Sequence, residues 1–449
     1  MGEVMSQGSQ KTLHTVYDTD KLFYYFNSED ESNCIVLRLV LRRRVDKFIL
    51  REALNQTLKR YPNFRQTPVL DAEGKLHTIE NNREAEVYPY DPEPVTLGEK
   101  ESNGFYFRVM YEGSTIWISA FHALCDGGGF MMFARTLLYY YAGLSGVPVS
   151  NEDGRILTQE VPVDPSELAD PYKIDTGARP APNALKTTGK EDIFLLPEKI
   201  KGTDECDHHV LFRFVLDTAR LKNLAKEAGA TVDTYMHLLI AGTIHDSYES
   251  GDSLIAGIGT VDVRPFYDSR YLQNLTDLFW IYYPKDIFTL PDRAACGIIQ
   301  RLFKDQQLTR ENIDGVRRES SRHFHEMFDF PMTSRQGLRM MREAFFNSPD
   351  LYVTYFMTNL VRLELGDDLD GLVAHADAYG PDIFKCPVLF LLTQGNETTV
   401  NITQRTMNRY FPLKMRETFI RKGLLIRDEM GLTFESDKIR VDEMPLVEE

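Results

Sequence analysis

The chain is 449 residues and 51.7 kDa, with 43% hydrophobic and 26% charged residues, an ordinary globular composition that can bury cores without disulfides or metals. Its 51 Lys and Arg against 67 Asp and Glu give a net charge of −16, which disfavours phosphate backbones and anionic lipid as partners. No stretch approaches the roughly 20 apolar residues of a membrane span.

The start, MGEVMSQGSQKTLHTVYD, has no apolar core and reads as a polar, disordered beginning, although Met1-Gly2-x-x-x-Ser6 fits a myristoylation pattern. Five scattered cysteines (Cys34, Cys125, Cys206, Cys296, Cys386) without a CxxC indicate neither a disulfide framework nor a zinc site, and point to a reducing cytoplasm.

Residues 33–41 (NCIVLRLVL) predict a strand. Val45, Phe48, Ile49, Ala53, Leu54 and Leu58 then recur at helical spacing up to Tyr61-Pro62. The nearby Arg42, Arg43, Arg44, Lys47 and Arg51 are read as a solvated face. Strands are expected at 63–70 and 76–80. A hairpin is expected from 105–111 and 115–121 around Glu112-Gly113-Ser114. HALCDGGG follows, then an apolar helix from Phe130 to about Tyr141. Five prolines between Pro162 and Pro182 mark a crossover between two halves.

The second half restarts with a strand at 209–216. Asp217 is placed to cap a helix that ends near Gly229. A second, apolar helix covers 232–247, and a strand runs 254–263 into Arg264-Pro265. Helices are expected near 293–308, 335–346 and 410–421, and strands at 351–357, 387–393 and 398–403, the last two joined at Gly395-Asn396. The mixture predicts an α/β fold, with divisions at 12–160, 161–189 and 190–449.

His122-Ala123-Leu124-Cys125-Asp126-Gly127 is the segment that carries chemistry. A basic His must be held at a fixed angle with one ring nitrogen available. A strand ending at His122, with a glycine turn behind it, provides that hold. Asp126 either returns beside the His or anchors the turn. Gly127, Gly128 and Gly129 permit close backbone approach, and N–H groups at the start of the next helix could face a developing oxyanion.

FHALCDGGG resembles the HxxxDG motif of the chloramphenicol-acetyltransferase-like enzymes. These include the condensation domains of peptide synthetases, the alcohol O-acetyltransferases and the plant-type CoA acyltransferases. Tyr61-Pro62-Asn63-Phe64-Arg65, Val261-Asp262-Val263-Arg264-Pro265 and Tyr355-Phe356-Met357-Thr358-Asn359-Leu360 resemble further family segments, in family order. The resemblance implies two lobes with mixed sheets and a tunnel between them. It implies His122 as general base toward a hydroxyl or amine acceptor. It implies Asp126 and Gly127 as catalytic-motif residues, with Asp126 paired to Arg264 in support. Gly127 N–H, Thr358 or Asn359 would face the oxyanion. Acyl-CoA is the implied co-substrate, with no resident cofactor or metal, in a cytoplasmic monomer. Two departures stand out. Phe121 replaces the second His usual in condensation domains, and Val361 replaces a usual glycine. The alternatives are a condensation-type enzyme using a separate carrier protein's thioester, and a catalytically retired member that binds a ligand or partner.

Other features read as ordinary structure. Gly251-Asp252-Ser253-Leu254 is taken as a polar turn, not an esterase or carrier block. His208 and His209 point to opposite strand faces and cannot share a metal. His237 is read as a core residue and His375 as a candidate pocket residue. The sequons at Asn55, Asn274, Asn396 and Asn401 are read as unused without secretion.

Overall fold

The computed structural model describes residues 13–25, 27, 32–152, 154–169, 193–197, 205–306, 313–314, 352–363, 366, 371–382, 386–441 and 444. The expected helix at 335–346, the myristoylation pattern and most of the Pro-rich crossover lie outside the described residues.

Three sheets organise the described chain. The five-stranded sheet runs Val373–Tyr379, Cys34–Leu41, Thr115–Phe121, Phe107–Glu112, Val87–Pro89 from edge to edge. Its last pair is parallel and the others are antiparallel. Cys34–Leu41 is nearly all apolar and largely buried, because a strand in mid-sheet is covered on both faces. The hairpin between Phe107–Glu112 and Thr115–Phe121 turns at Gly113, whose φ of 57° suits glycine. Helix Lys47–Leu58 packs with helix Gly127–Leu144 against this sheet's core. Asp46 caps the first of these helices by accepting from the Phe48 and Ile49 N–H groups.

The seven-stranded sheet runs Thr276–Tyr282, Ala256–Asp262, Tyr355–Arg362, Val388–Gln394, Glu397–Thr406, Glu205–Asp217, Leu425–Phe434. Two neighbouring pairs are parallel and the rest antiparallel. Helix Val232–Ser247, apolar on most of its surface, buries beneath it in a second core. Asp217 caps helix Thr218–Glu227 through the Arg220 N–H, as its position suggests. The third sheet is small, with strands His14–Thr15, Leu76–Glu80 and Gln66–Leu70.

Two segments of the second half return to the first half's sheet. Strand Val373–Tyr379, which alternation and composition do not predict, pairs with Cys34–Leu41. Its Asp377 is fully buried and meets Arg38 Nε at 2.8 Å, Arg213 Nη2 at 3.3 Å and Asn401 Nδ2 at 3.1 Å. Burial alone would raise this carboxyl's pKa. The charge of Arg213, the bond from His375 and the charge of Arg38 outweigh burial and hold it well below the usual range. Further along, buried Asp437 accepts from Arg108 Nε at 2.9 Å and Ser119 Oγ at 2.6 Å. Each carboxylate thus ties the chain's second half to its first.

Asp377→Ala removes the acceptor shared by two arginines from different sheets. A buried ion pair broken on one side costs about 3–5 kcal/mol. Urea unfolding should show a loss of that order, and a loss under about 1 kcal/mol would contradict it.

Candidate active site

Strand Thr115–Phe121 passes directly into a 3₁₀ turn, His122–Leu124, and then into helix Gly127–Leu144. The helix begins three residues before Phe130, where its apolar run starts, because Asp126 is its N-cap. The Asp126 carboxylate accepts from the Gly129 N–H at 2.9 Å.

Asp126 does not stand beside the His122 ring as a partner. It accepts from Arg264 through both Nη1 (2.9 Å) and Nη2 (2.8 Å), the two-pronged geometry of a guanidinium–carboxylate pair. The Leu275 N–H and Thr276 Oγ1 also donate to it, each at 2.8 Å. With the Gly129 bond, five donors surround a carboxylate that is 1% exposed. Burial would raise its pKa, but Arg264's charge and these hydrogen bonds keep it below the usual carboxylate range. Arg264 in turn donates to the Tyr271 and Gln273 carbonyls, at 2.9 and 2.8 Å, and to Asp262 at 3.1 Å. The pair therefore fixes the segment 271–276 against the turn that carries His122.

That segment supplies His122's partner. Asn274 Oδ1 lies 3.1 Å from His122 Nδ1. The amide orientation follows from the other side of the group. Asn274 Nδ2 faces Asp20 Oδ1 at 2.9 Å, the His122 carbonyl at 3.1 Å and the Ala123 carbonyl at 3.4 Å, all acceptors. The NH₂ must lie there, so the oxygen faces the ring and Nδ1 carries the proton. Nε2 is left with a lone pair. The Phe23 ring stacks on the imidazole with centroids 4.2 Å apart and planes 7° apart. His122 is half-buried. Burial lowers its pKa below the ordinary histidine value, while the hydrogen bond to its own backbone, the Asp126 charge and the Asn274 bond oppose that shift. The ring is neutral near pH 7, the state in which a base accepts a proton.

The glycines serve close packing between chain segments. A Cβ at Gly129 would stand 2.3 Å from the Leu272 carbonyl oxygen, a backbone atom that cannot yield. A Cβ at Gly127 would stand 2.2 Å from Leu360 Cδ2, which places strand Tyr355–Arg362 against the turn. Strand alternation puts Thr358 on the Leu360 face, where its hydroxyl meets Thr260 Oγ1 at 3.2 Å. Asn359 lies on the opposite face and donates to Asp233 Oδ1 at 3.2 Å. From the Tyr61–Arg65 segment, buried Asn63 donates to the Leu124 carbonyl at 2.8 Å and so steadies the turn from the first half.

Asn274, Asp20 and Phe23 are the site residues that sequence reasoning misses. Asn274 stood out only as a sequon, and nothing about Asp18–Tyr25 marks it as chemistry. Two other described histidines lie elsewhere. His375 pairs with Glu397 at 2.9 Å and Asp377 at 3.2 Å, and buried His237 meets Tyr355 Oη at 2.9 Å. Gly251 has φ 59°, and its carbonyl accepts from Lys285, as befits a turn. Among the described residues no group of three or more His, Cys, Asp and Glu side chains is arranged to hold a metal ion, and no helix is long and apolar enough to cross a membrane.

No protein-family model and no curated protein matches the sequence. Solved structures do match. Polyketide synthase associated protein 5 from Mycobacterium tuberculosis superposes with TM-score 0.58 at 13% identity, over 91% of this chain and 98% of that one. The starter condensation domain of rhizomide synthetase RzmA, a mutant in complex with C8-CoA and Leu-SNAC, gives 0.58 at 12%, over 92% and 95%. TRI3 trichothecene 15-O-acetyltransferase from Fusarium sporotrichioides gives 0.56 at 11%, over 93% and 96%. This chain has the two-lobed chloramphenicol-acetyltransferase-like fold. The mixed sheets described above are those of that fold, and the likeness extends over nearly the whole of each chain.

Asp126→Ala and Arg264→Ala each strand a buried charge and should each cost about 3–5 kcal/mol in denaturant unfolding. The double variant should lose clearly less than the sum, because the two charges answer each other. Additive losses would show that the pair is not the coupling unit.

Proposed function

We propose that this protein is an acyltransferase that moves an acyl group from acyl-CoA to a hydroxyl or amine on a small acceptor. The observation that carries the reading is His122, a neutral imidazole with Nδ1–H held by Asn274 and Nε2 left as the acceptor. The fold's presence in a CoA-bound condensation domain and in an O-acetyltransferase supports the donor class.

In this reading Nε2 takes the acceptor's proton as its oxygen or nitrogen attacks the thioester carbonyl carbon. The carbonyl π electrons move to oxygen, giving a tetrahedral oxyanion. Collapse re-forms the carbonyl and breaks the carbon–sulfur bond. The proton on Nε2 passes to the departing CoA sulfur, which restores the base. The Gly127 N–H at the helix start and the Thr358 hydroxyl are the proposed oxyanion donors. Thr358 is preferred to Asn359, whose side chain is turned to Asp233 on the opposite face of the strand. Asp126 and Arg264 act by holding the turn. Donor and acceptor reach His122 from opposite mouths of a tunnel between the lobes.

His122→Ala should lower acyl transfer by about 10²–10⁴-fold without unfolding the protein. The wild-type rate should fall on the acid side, as the imidazole gains a proton. The inflection should lie below the ordinary histidine value of about 6.5, because burial disfavours the charged ring. Thiol release from a panel of acyl-CoAs, with circular dichroism as the folding control, measures both. Near-normal turnover in the variant would remove His122 from the reaction.

A further inference from the structure

Helix Asp18–Tyr25 carries two side chains, three residues apart and so on one face, that converge on His122. Phe23 stacks flat on the ring. Asp20, 1% exposed, accepts from Asn274 Nδ2 at 2.9 Å through Oδ1 and from Tyr271 Oη at 2.7 Å through Oδ2. We propose that Asp20 is a positioning residue for His122, acting through Asn274, while Phe23 of the same helix holds the plane of the ring. The proposal rests on the reading of His122 as a general base.

A buried carboxyl at position 20 is costly. The Asp20 carboxyl is pushed up to about 7, because burial and, to a smaller extent, the nearby charge of Asp126 raise it by more than the bonds from Asn274 and Tyr271 lower it. No cation is among its partners in the described residues. An apolar residue would fill the same volume without that penalty. What a carboxyl does there, and an apolar residue cannot, is accept a hydrogen bond from Asn274. An amide can sit either way round. With its oxygen turned toward Asp20 it would oppose one carboxylate and the carbonyls of His122 and Ala123, and its NH₂ would then face Nδ1. Nδ1 would have to accept, the ring proton would move to Nε2, and the base would be lost. Asp20 therefore biases the amide, and the amide, together with the bond between the ring and its own backbone, sets the tautomer. The working part is an acceptor oxygen, so asparagine at position 20 can keep it, with its own NH₂ turned to Tyr271 Oη.

The test uses the full chain labelled with ¹⁵N at histidine, with His122 assigned by its loss in His122→Ala. Wild type should show His122 protonated on Nδ1. Asp20→Ala should populate the Nε2–H tautomer and lower kcat by about 10–100-fold, with the KM for acyl-CoA within about two-fold, the scale expected when a partner of a catalytic His is removed. Asp20→Asn should restore the Nδ1–H form and bring kcat to within about three-fold of wild type. In an Asn274→Ala background, Asp20→Ala should add little further loss. A folded Asp20→Ala protein with the wild-type tautomer and kcat overturns the proposal, as does an Asp20→Asn protein as impaired as Asp20→Ala. Should Asp20→Ala not fold, Asn274→Ala carries the tautomer measurement, and an unchanged Nδ1–H form there overturns it as well. The ring signals do not depend on acyl transfer. A wild-type protein that transfers no acyl group would sink the functional reading alone.

Discussion

The bidentate pair between Asp126 and Arg264 is the constraint on which the site depends. The two residues are 138 positions apart and come from segments that pack against different cores. Arg264 opens a short helix two residues past the end of strand Ala256–Asp262, where two carbonyls, from Tyr271 and Gln273, accept from its guanidinium. Asp126 uses its remaining capacity on Gly129, Leu275 and Thr276. The pair thus joins two turns, each of which would be irregular and mobile by itself. One turn carries the His and the other carries the asparagine that orients it. Burial cancels most of the Coulombic gain of such a pair, so what it contributes is geometry.

The same device recurs at the level of the fold. Asp377 joins arginines from the two large sheets, and Asp437 anchors the chain's last described segment on Arg108 and Ser119. In each case a buried carboxylate accepts from donors far away in sequence. An apolar contact tolerates sliding by a fraction of a residue, whereas a two-pronged charge-assisted bond does not. The carboxylates of Asp126, Asp377 and Asp437, the first and last gripped by two prongs of one guanidinium and Asp377 by two arginines, fix the register between halves whose hydrophobic cores alone would leave it looser.

How much of this was legible in the sequence depends on how local the cause is. Strand Cys34–Leu41, helix Lys47–Leu58 and the hairpin at Gly113 are written in apolar runs, a cap and a glycine, all within one segment. The end of a strand at His122 and the partnership of Asp126 with Arg264 followed from a motif and its resemblance. Strand Val373–Tyr379 escaped because AHADAY carries a His and an Asp in place of a plain apolar alternation, and the compensation of Asp377 by Arg38 and Arg213 is visible only in the fold. Leu425–Phe434 escaped because it is an edge strand with a half-exposed, charged sequence. Helix Asp18–Tyr25 is too short for its apolar period to stand out. Asn274 has no local signal at all, since an amide acquires meaning only from the groups on either side of it.

The base is therefore a property of the assembled fold, and the contacts show why. His122's ring is held by Asn274 and Phe23, and its backbone N–H by the Asn33 carbonyl. The turn behind it is held by Asn63, Arg264, Leu275 and Thr276. These residues come from both halves of the chain, and the longest reach, from Asp20 to Asn274, spans 254 positions. Contacts that far apart in sequence form late, after the entropy of closing large loops has been met by the hydrophobic cores. Once the second half docks on the first, Asn274's amide has only one orientation that satisfies Asp20 and the turn's carbonyls together, and Nε2 is left with the lone pair.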